Sequence, residues 1–168
     1  AYVIRGMQSI GVIATAKHFP GHGDTADDSH VTLPTIDLTR EELASRELMP
    51  FRAAIDANVG AMMVAHIYYS DLESGGTIPA SLSKNVVSGL LRDEQAYEGI
   101  IMPDALDMDA IDTVYSPAEA TLQAVQAGND LILIGAHVSL DAQAESIQRV
   151  VAAVENGDIP LEQIDQSV

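Results

Sequence analysis

The chain contains no cysteine and no tryptophan, and lysine occurs only at positions 17 and 84. Without cysteine there is no disulfide and no thiolate chemistry, although the redox compartment stays open. Aromatic residues make up only 4% of the chain, so the core must be filled by aliphatic side chains. Positive charge is scarce. The 8 Lys+Arg stand against 25 Asp+Glu, a net charge of −17, which repels nucleic acid and anionic membranes. No apolar run approaches the ~18 residues of a membrane-spanning helix. The sequence opens at Ala1 without a signal-like segment, so a cytoplasmic location is expected, with secretion as the alternative. The missing initial Met is read as a processed chain or an excised fragment.

At 168 residues and 47% hydrophobic content, one domain with a true core is expected over residues 1–168. The acidic residues are spread along the chain, so a solvated acidic surface is the plainer reading, and adaptation to high salt is the sharper one.

Helix and strand signals alternate. Residues 2–10 read as the end of a helix stopped by Gly11. The β-branched run Val12-Ile13-Ala14-Thr15-Ala16 reads as a strand buried on both faces. Thr39-Arg40-Glu41-Glu42 fits a capping box opening a helix to about Ala57. A second apolar strand, Val59 to Ala65, ends at His66, and a loop through Tyr68-Tyr69, Gly75-Gly76 and Pro79 leads to a helix near Ser83 to Asp93. Gly99-Ile100-Ile101-Met102 is the third strand, ending at Asp104. Ser116-Pro117-Ala118-Glu119 is another capping box, on a helix stopped by Gly128. Leu131 to Ile134 reads as a fourth strand before Gly135 and His137, and a last long helix spans Leu140 to Glu155, with a short one after Pro160.

Four βα units with apolar strands define an α/β fold with a parallel sheet. A complete eight-stranded barrel needs about 250 residues, so the expectation is a partial, TIM-like (β/α) barrel, about half of one. Each strand delivers a polar residue at its carboxyl end: Lys17 and His18, His66, Asp104, and His137. Ligand sites of α/β folds lie there.

The densest chemistry is in residues 17–30, Lys-His-Phe-Pro-Gly-His-Gly-Asp-Thr-Ala-Asp-Asp-Ser-His. Pro20, Gly21 and Gly23 exclude a helix interior or a buried strand, so this is read as an active-site loop. Asp28 and His30 share one side of an extended segment, the arrangement that orients an imidazole for general acid/base work. Asp104 is a candidate nucleophile, metal ligand or helix N-cap. Asp107 and Asp109 suit capping or solvation better. His18, His22, Asp24, Asp28 and His30 together offer nitrogen and oxygen donors to a divalent ion, but Pro20 and Gly21 interrupt any helical His pair, and no metal is expected. Gly21-His22-Gly23 lacks the Walker lysine and the dinucleotide glycine spacing.

Lys17-His18-Phe19-Pro20-Gly21-His22-Gly23 with Asp28-Ser29-His30, followed by Met62 to Tyr68 and Gly99 to Leu106, resembles the signature of family 3 glycoside hydrolases in their β-N-acetylglucosaminidase (NagZ-like) branch. The resemblance covers nearly the whole chain and implies the second half of a TIM-like catalytic barrel. It implies Asp104 as nucleophile, His30 as general acid/base with Asp28 as its partner, and Lys17, His18 and His66 as substrate-binding residues. Also implied are removal of terminal β-linked N-acetylglucosamine from cell-wall muropeptides or chitin oligosaccharides, a place in peptidoglycan recycling, and no cofactor. Two features depart from the family pattern. Pro103 stands where a small hydroxyl residue is usual, and the aspartate and arginine of the family's early strands have no counterpart. A catalytically incomplete half-barrel needing self-association or a partner half is one alternative reading, and a metal-dependent hydrolase is the other.

Overall fold

The computed structural model describes residues 1–23, 33–73 and 77–168. Helix α1 (Tyr2–Gln8) ends ahead of Gly11, whose φ of 80° is the left-handed value that favours glycine at a helix stop. Strand β1 (Thr15–Phe19) follows and takes in Lys17 and His18, which the sequence reading assigns to the active-site loop, and the short β2 (Thr35–Ile36) comes next among the described residues. Helix α2 (Arg40–Glu42) opens on the expected capping box: the Glu42 amide donates to Thr39 Oγ1 at 3.2 Å and the Thr39 amide to Glu42 Oε2 at 2.9 Å. It continues through a π-helical turn, Leu43–Glu47, into α3 (Leu48–Ile55).

Strand β3 (Ala61–Val64) leads to the short β4 (Tyr68–Tyr69) and a 3₁₀ turn at Ala80–Leu82. A π-helical segment, Asn85–Glu94, precedes β5 (Ile100–Pro103). Helices α4 (Asp109–Asp112), α5 (Pro117–Ala127), α6 (Leu140–Glu155) and α7 (Leu161–Gln166) complete the chain. On α5 the Ser116–Glu119 capping box, Pro117 in the first turn and left-handed Gly128 all stand as expected.

The main sheet is parallel with order β1-β3-β5, and β2 pairs with β4 in a separate parallel ribbon that the sequence reading leaves as loop. This is the α/β architecture expected, with helices connecting the strands of a parallel sheet. Phe19, Met62, Val64, Ile67, Leu91 and Ile101 form the buried centre, and Phe19 meets Phe51 of α3 edge to face at 5.3 Å. Among the described residues no helix is long and apolar enough to cross a membrane.

Two strands differ from expectation. The first starts three residues later than the apolar run, and Val12 and Ile13 are 46% and 59% exposed instead of buried. Among the described residues β1 pairs with β3 alone, and its pairing slips between Ala16 and Phe19, a bulge that puts one extra residue into the end of β1. The fourth strand, Leu131–Ile134, does not form. The cause lies in β5. Its amides at Ile100 and Asp104 point to β3, bonding Gly60 and Val64 carbonyls, so those at 101 and 103 face the other way. There the Ile101 amide is taken by the Asp130 carboxylate at 2.7 Å, and Pro103 has no N–H. Asp130 and Leu131 both donate to the Ile101 carbonyl instead of laddering.

Asp130 also anchors the amino end of β5. Its Oδ2 accepts from Arg92 Nη2 at 2.7 Å, while Arg92 Nη1 donates to the Tyr97 and Gly99 carbonyls. Asp130→Ala would strand a backbone donor and a guanidinium, and should cost about 3 kcal/mol of unfolding free energy. Urea denaturation with unchanged slope checks this, and a loss below about 0.5 kcal/mol, the scatter of surface substitutions, would contradict it.

Candidate active site

Parallel pairing sends the carboxyl ends of β1, β3 and β5 to the same edge of the sheet. His18 of β1 and Asp104 just past β5 meet there, across the end of β3: His18 Nε2 lies 3.3 Å from Asp104 Oδ2, with side chains 25% and 21% exposed. The other carboxylate oxygen, Oδ1, accepts the amide of Ala105 at 2.9 Å. Asp104 is not a helix N-cap, since the nearest helix, α4, is entered through Met108. The geometry leaves a largely buried but still accessible carboxylate with one oxygen held by backbone and the other facing an imidazole.

His22 packs its ring edge-on against His18, with 5.9 Å between centroids. Gly21 sets this turn. Its φ is 147°, a Cβ there would approach Glu47 Oε2 to 2.6 Å, and its carbonyl accepts the Tyr69 hydroxyl. The backbone thus passes over the start of α3 in a way that only glycine permits. Lys17 is exposed beside this turn. The expected catalytic pair Asp28 and His30, together with Asp24, lies outside the described residues.

His66 occupies a different position from the one expected. It is 1% exposed, and both ring nitrogens are bonded within the protein, Nδ1 with Ser81 Oγ at 2.7 Å and Nε2 with the Ala105 carbonyl at 2.9 Å. It supports the site from behind instead of presenting a nitrogen to substrate. The alternation that carries a strand-end residue into the open also carries its neighbour into the core, and periodicity alone does not say which. Ser81 and Asn129, buried behind His66, escape sequence reasoning because a serine in Pro79-Ala80-Ser81-Leu82 reads as a helix start. Asp107 accepts the His137 amide at 3.0 Å, so it fixes the loop after residue 134, and it does not cap α4, which is entered through Met108.

Among the described residues no group of three or more His, Cys, Asp or Glu side chains is placed to hold a metal ion. A cavity of about 930 Å³ lined by Arg92, Gly99, Ile100, Asp130 and Gln163 opens at the amino end of β5, the opposite end of the strand from Asp104.

The model of the glycosyl hydrolase family 3 N-terminal domain matches residues 1–168, and the chain belongs to this family. It is 33% identical over 98% of its length to β-hexosaminidase A of Pseudoalteromonas piscicida, covering 30% of that protein. It is 39% identical over 78% of its length to a β-hexosaminidase of Haemophilus influenzae, covering 37% of it. A family 3 β-N-acetylglucosaminidase from Paenibacillus sp. str. FPU-7 superimposes with a TM-score of 0.92 at 48% identity, over 98% of this chain and 31% of that one. The chain therefore spans under half the length of these relatives.

Burial lowers the His66 pKa from its ordinary 6.5, against the smaller upward pull of the Ala105 carbonyl and the Asp104 charge. Because the folded value lies below the unfolded one, the unfolded chain binds the extra proton. Stability attributable to this residue is therefore full above about 6.5 and falls as pH drops below it. Unfolding free energies from pH 8 to 5 should fall more steeply for the natural chain than for His66→Gln, and parallel curves would contradict this.

Proposed function

We propose that this chain carries the nucleophile and the acid/base residues of a retaining β-N-acetylglucosaminidase, with terminal β-linked N-acetylglucosamine of muropeptides or chitin oligosaccharides as substrate. The observation that carries the reading is the Asp104 carboxylate at the carboxyl end of β5, about a fifth exposed, with Oδ1 accepting the Ala105 amide and Oδ2 toward His18. Family membership and relatives named as β-hexosaminidases support it.

In a retaining mechanism a carboxylate attacks the anomeric carbon while a proton donor serves the departing oxygen, and water then releases the sugar from the ester. Asp104 is the attacking group. His30, oriented by Asp28, donates the proton in the first step and takes one from water in the second. Lys17 and His18 bind sugar hydroxyls. The His18–Asp104 contact gives that imidazole a further role, since it holds the carboxylate while it binds the sugar.

A second reading is favoured by one specific feature, the apolar exposure at both sides of the sheet. Ile10, Val12 and Ile13 are open beside β1, and Leu131, Ile147 and Val151 beyond β5. Exposed large apolar side chains on two sides of the sheet suit an interface. On this reading a second copy or a complementary half-barrel must cover these residues before the site turns over. Sedimentation of the chain at micromolar concentration should then show association, and a monomer at all concentrations would set this reading aside.

The primary reading is tested with an aryl N-acetylglucosaminide and the matching glucoside. The first should be cleaved and the second left nearly untouched. Asp104→Asn should abolish turnover. His30→Ala should lose about a hundredfold to ten-thousandfold with a poor leaving group, the usual worth of general acid catalysis, and far less with a good one. Equal losses on both leaving groups would contradict the acid/base assignment.

A further inference from the structure

His66, Ser81 and Asn129 form a continuous hydrogen-bonded line that ends on the residue next to Asp104. A carbonyl oxygen can only accept, so the 2.9 Å contact of His66 Nε2 with the Ala105 carbonyl requires the hydrogen on Nε2. In a neutral imidazole Nδ1 is then the acceptor, and the Ser81 hydroxyl must donate to it at 2.7 Å. Ser81 is itself held at both backbone groups. Its amide donates to the Ala65 carbonyl at 3.1 Å, and its carbonyl accepts from Asn129 Nδ2 at 2.9 Å. Asn129 spends its second hydrogen on the Ala124 carbonyl of α5 at 2.8 Å.

Both polar groups of Ala105 are thereby committed. Its carbonyl is fixed by His66, and its amide donates to Asp104 Oδ1. All three side chains are buried, so no water competes for these bonds, and removing one would leave a buried partner unsatisfied. The carboxylate of Asp104 is therefore aimed by the peptide on the amino side of Ala105, while the peptide on its carboxyl side is clamped from inside the domain.

We propose that His66, as its neutral Nε2–H tautomer held by Ser81 and Asn129, is a positioning residue that fixes the Ala105 carbonyl, and so the orientation of Ala105 whose amide holds the carboxylate of Asp104. The brace links β3, the 3₁₀ turn and the end of α5 to the strand end that bears the carboxylate. It supplies a hydrogen-bond donor without placing a positive charge against Asp104, which leaves that carboxylate's charge for the substrate. The kinetic consequence rests on the nucleophile assignment above, while the tautomer does not.

The test uses the whole chain with His66→Gln, His66→Leu and Ser81→Ala. Glutamine keeps one N–H donor and one acceptor, whereas leucine fills space and keeps neither. With an aryl N-acetylglucosaminide, His66→Leu should lower kcat about a hundredfold, the effect of a ~1 Å misplacement of a reacting group, with KM within about twofold. His66→Gln should recover most of it, and Ser81→Ala should fall between. A His66→Leu chain that folds and keeps kcat, or a glutamine variant no better than the leucine one, would overturn the proposal. If His66→Leu does not fold, the glutamine and Ser81→Ala variants decide on the same criteria. Ring ¹⁵N NMR of the natural chain at pH 7 should show His66 neutral with hydrogen on Nε2. An Nδ1–H tautomer overturns the brace whatever the activity, and an inactive chain with the Nε2–H tautomer counts against the proposed activity alone.

Discussion

The bond from the Asp104 amide to the Val64 carbonyl, 2.9 Å long, is the last rung between β5 and β3, and the geometry of the site follows from it. It fixes where β5 stops and therefore where the carboxylate emerges. β3 in turn is paired with β1, so the same register that places Asp104 also places His18, two strands away. A slip of one residue in either pairing would turn these side chains to the opposite face. The buried aliphatic centre resists such a slip, because Met62, Val64 and Ile101 would have to leave it.

One residue of β5, Pro103, shapes both the fold and the site. Pro103 removes the donor that a further strand would use, and Asp130 takes up the other donor on that side. The segment after α5 consequently runs beside β5 without pairing, pinned by the Leu106 amide on the Leu133 carbonyl and by Asp107 on the His137 amide. The stability of the strand end then depends on side chains, Asp130 and Arg92 at one end of β5 and the His66 brace at the other.

Much of this is legible in the sequence. Thr39 and Ser116 with their glutamates mark helix starts because capping is a local hydrogen-bonding problem, and Gly11 and Gly128 mark stops because left-handed backbone favours glycine. Asp104 is legible as a polar residue ending an apolar strand. What is not legible depends on partners distant in sequence. That Leu131–Ile134 fails to pair depends on where Asp130 reaches, and that His66 is buried depends on Ser81 and Ala105 closing over it. Nor does an apolar run show that Val12 and Ile13 lie at an open edge. The register brings Asp104 and His18 together at the strand ends, whereas the ring of the strand-end histidine His66 is turned inward onto Ser81 and Ala105.

The central claim is that Asp104 forms the covalent bond to the sugar. It is tested most directly by treating the chain with a fluorinated N-acetylglucosaminyl fluoride, whose glycosyl-enzyme ester hydrolyses slowly, and mapping the adduct by peptide mass spectrometry. The account predicts one sugar on the peptide containing Asp104, attached to that carboxylate. A sugar on any other carboxylate, or fluoride released without an adduct at Asp104, would contradict it.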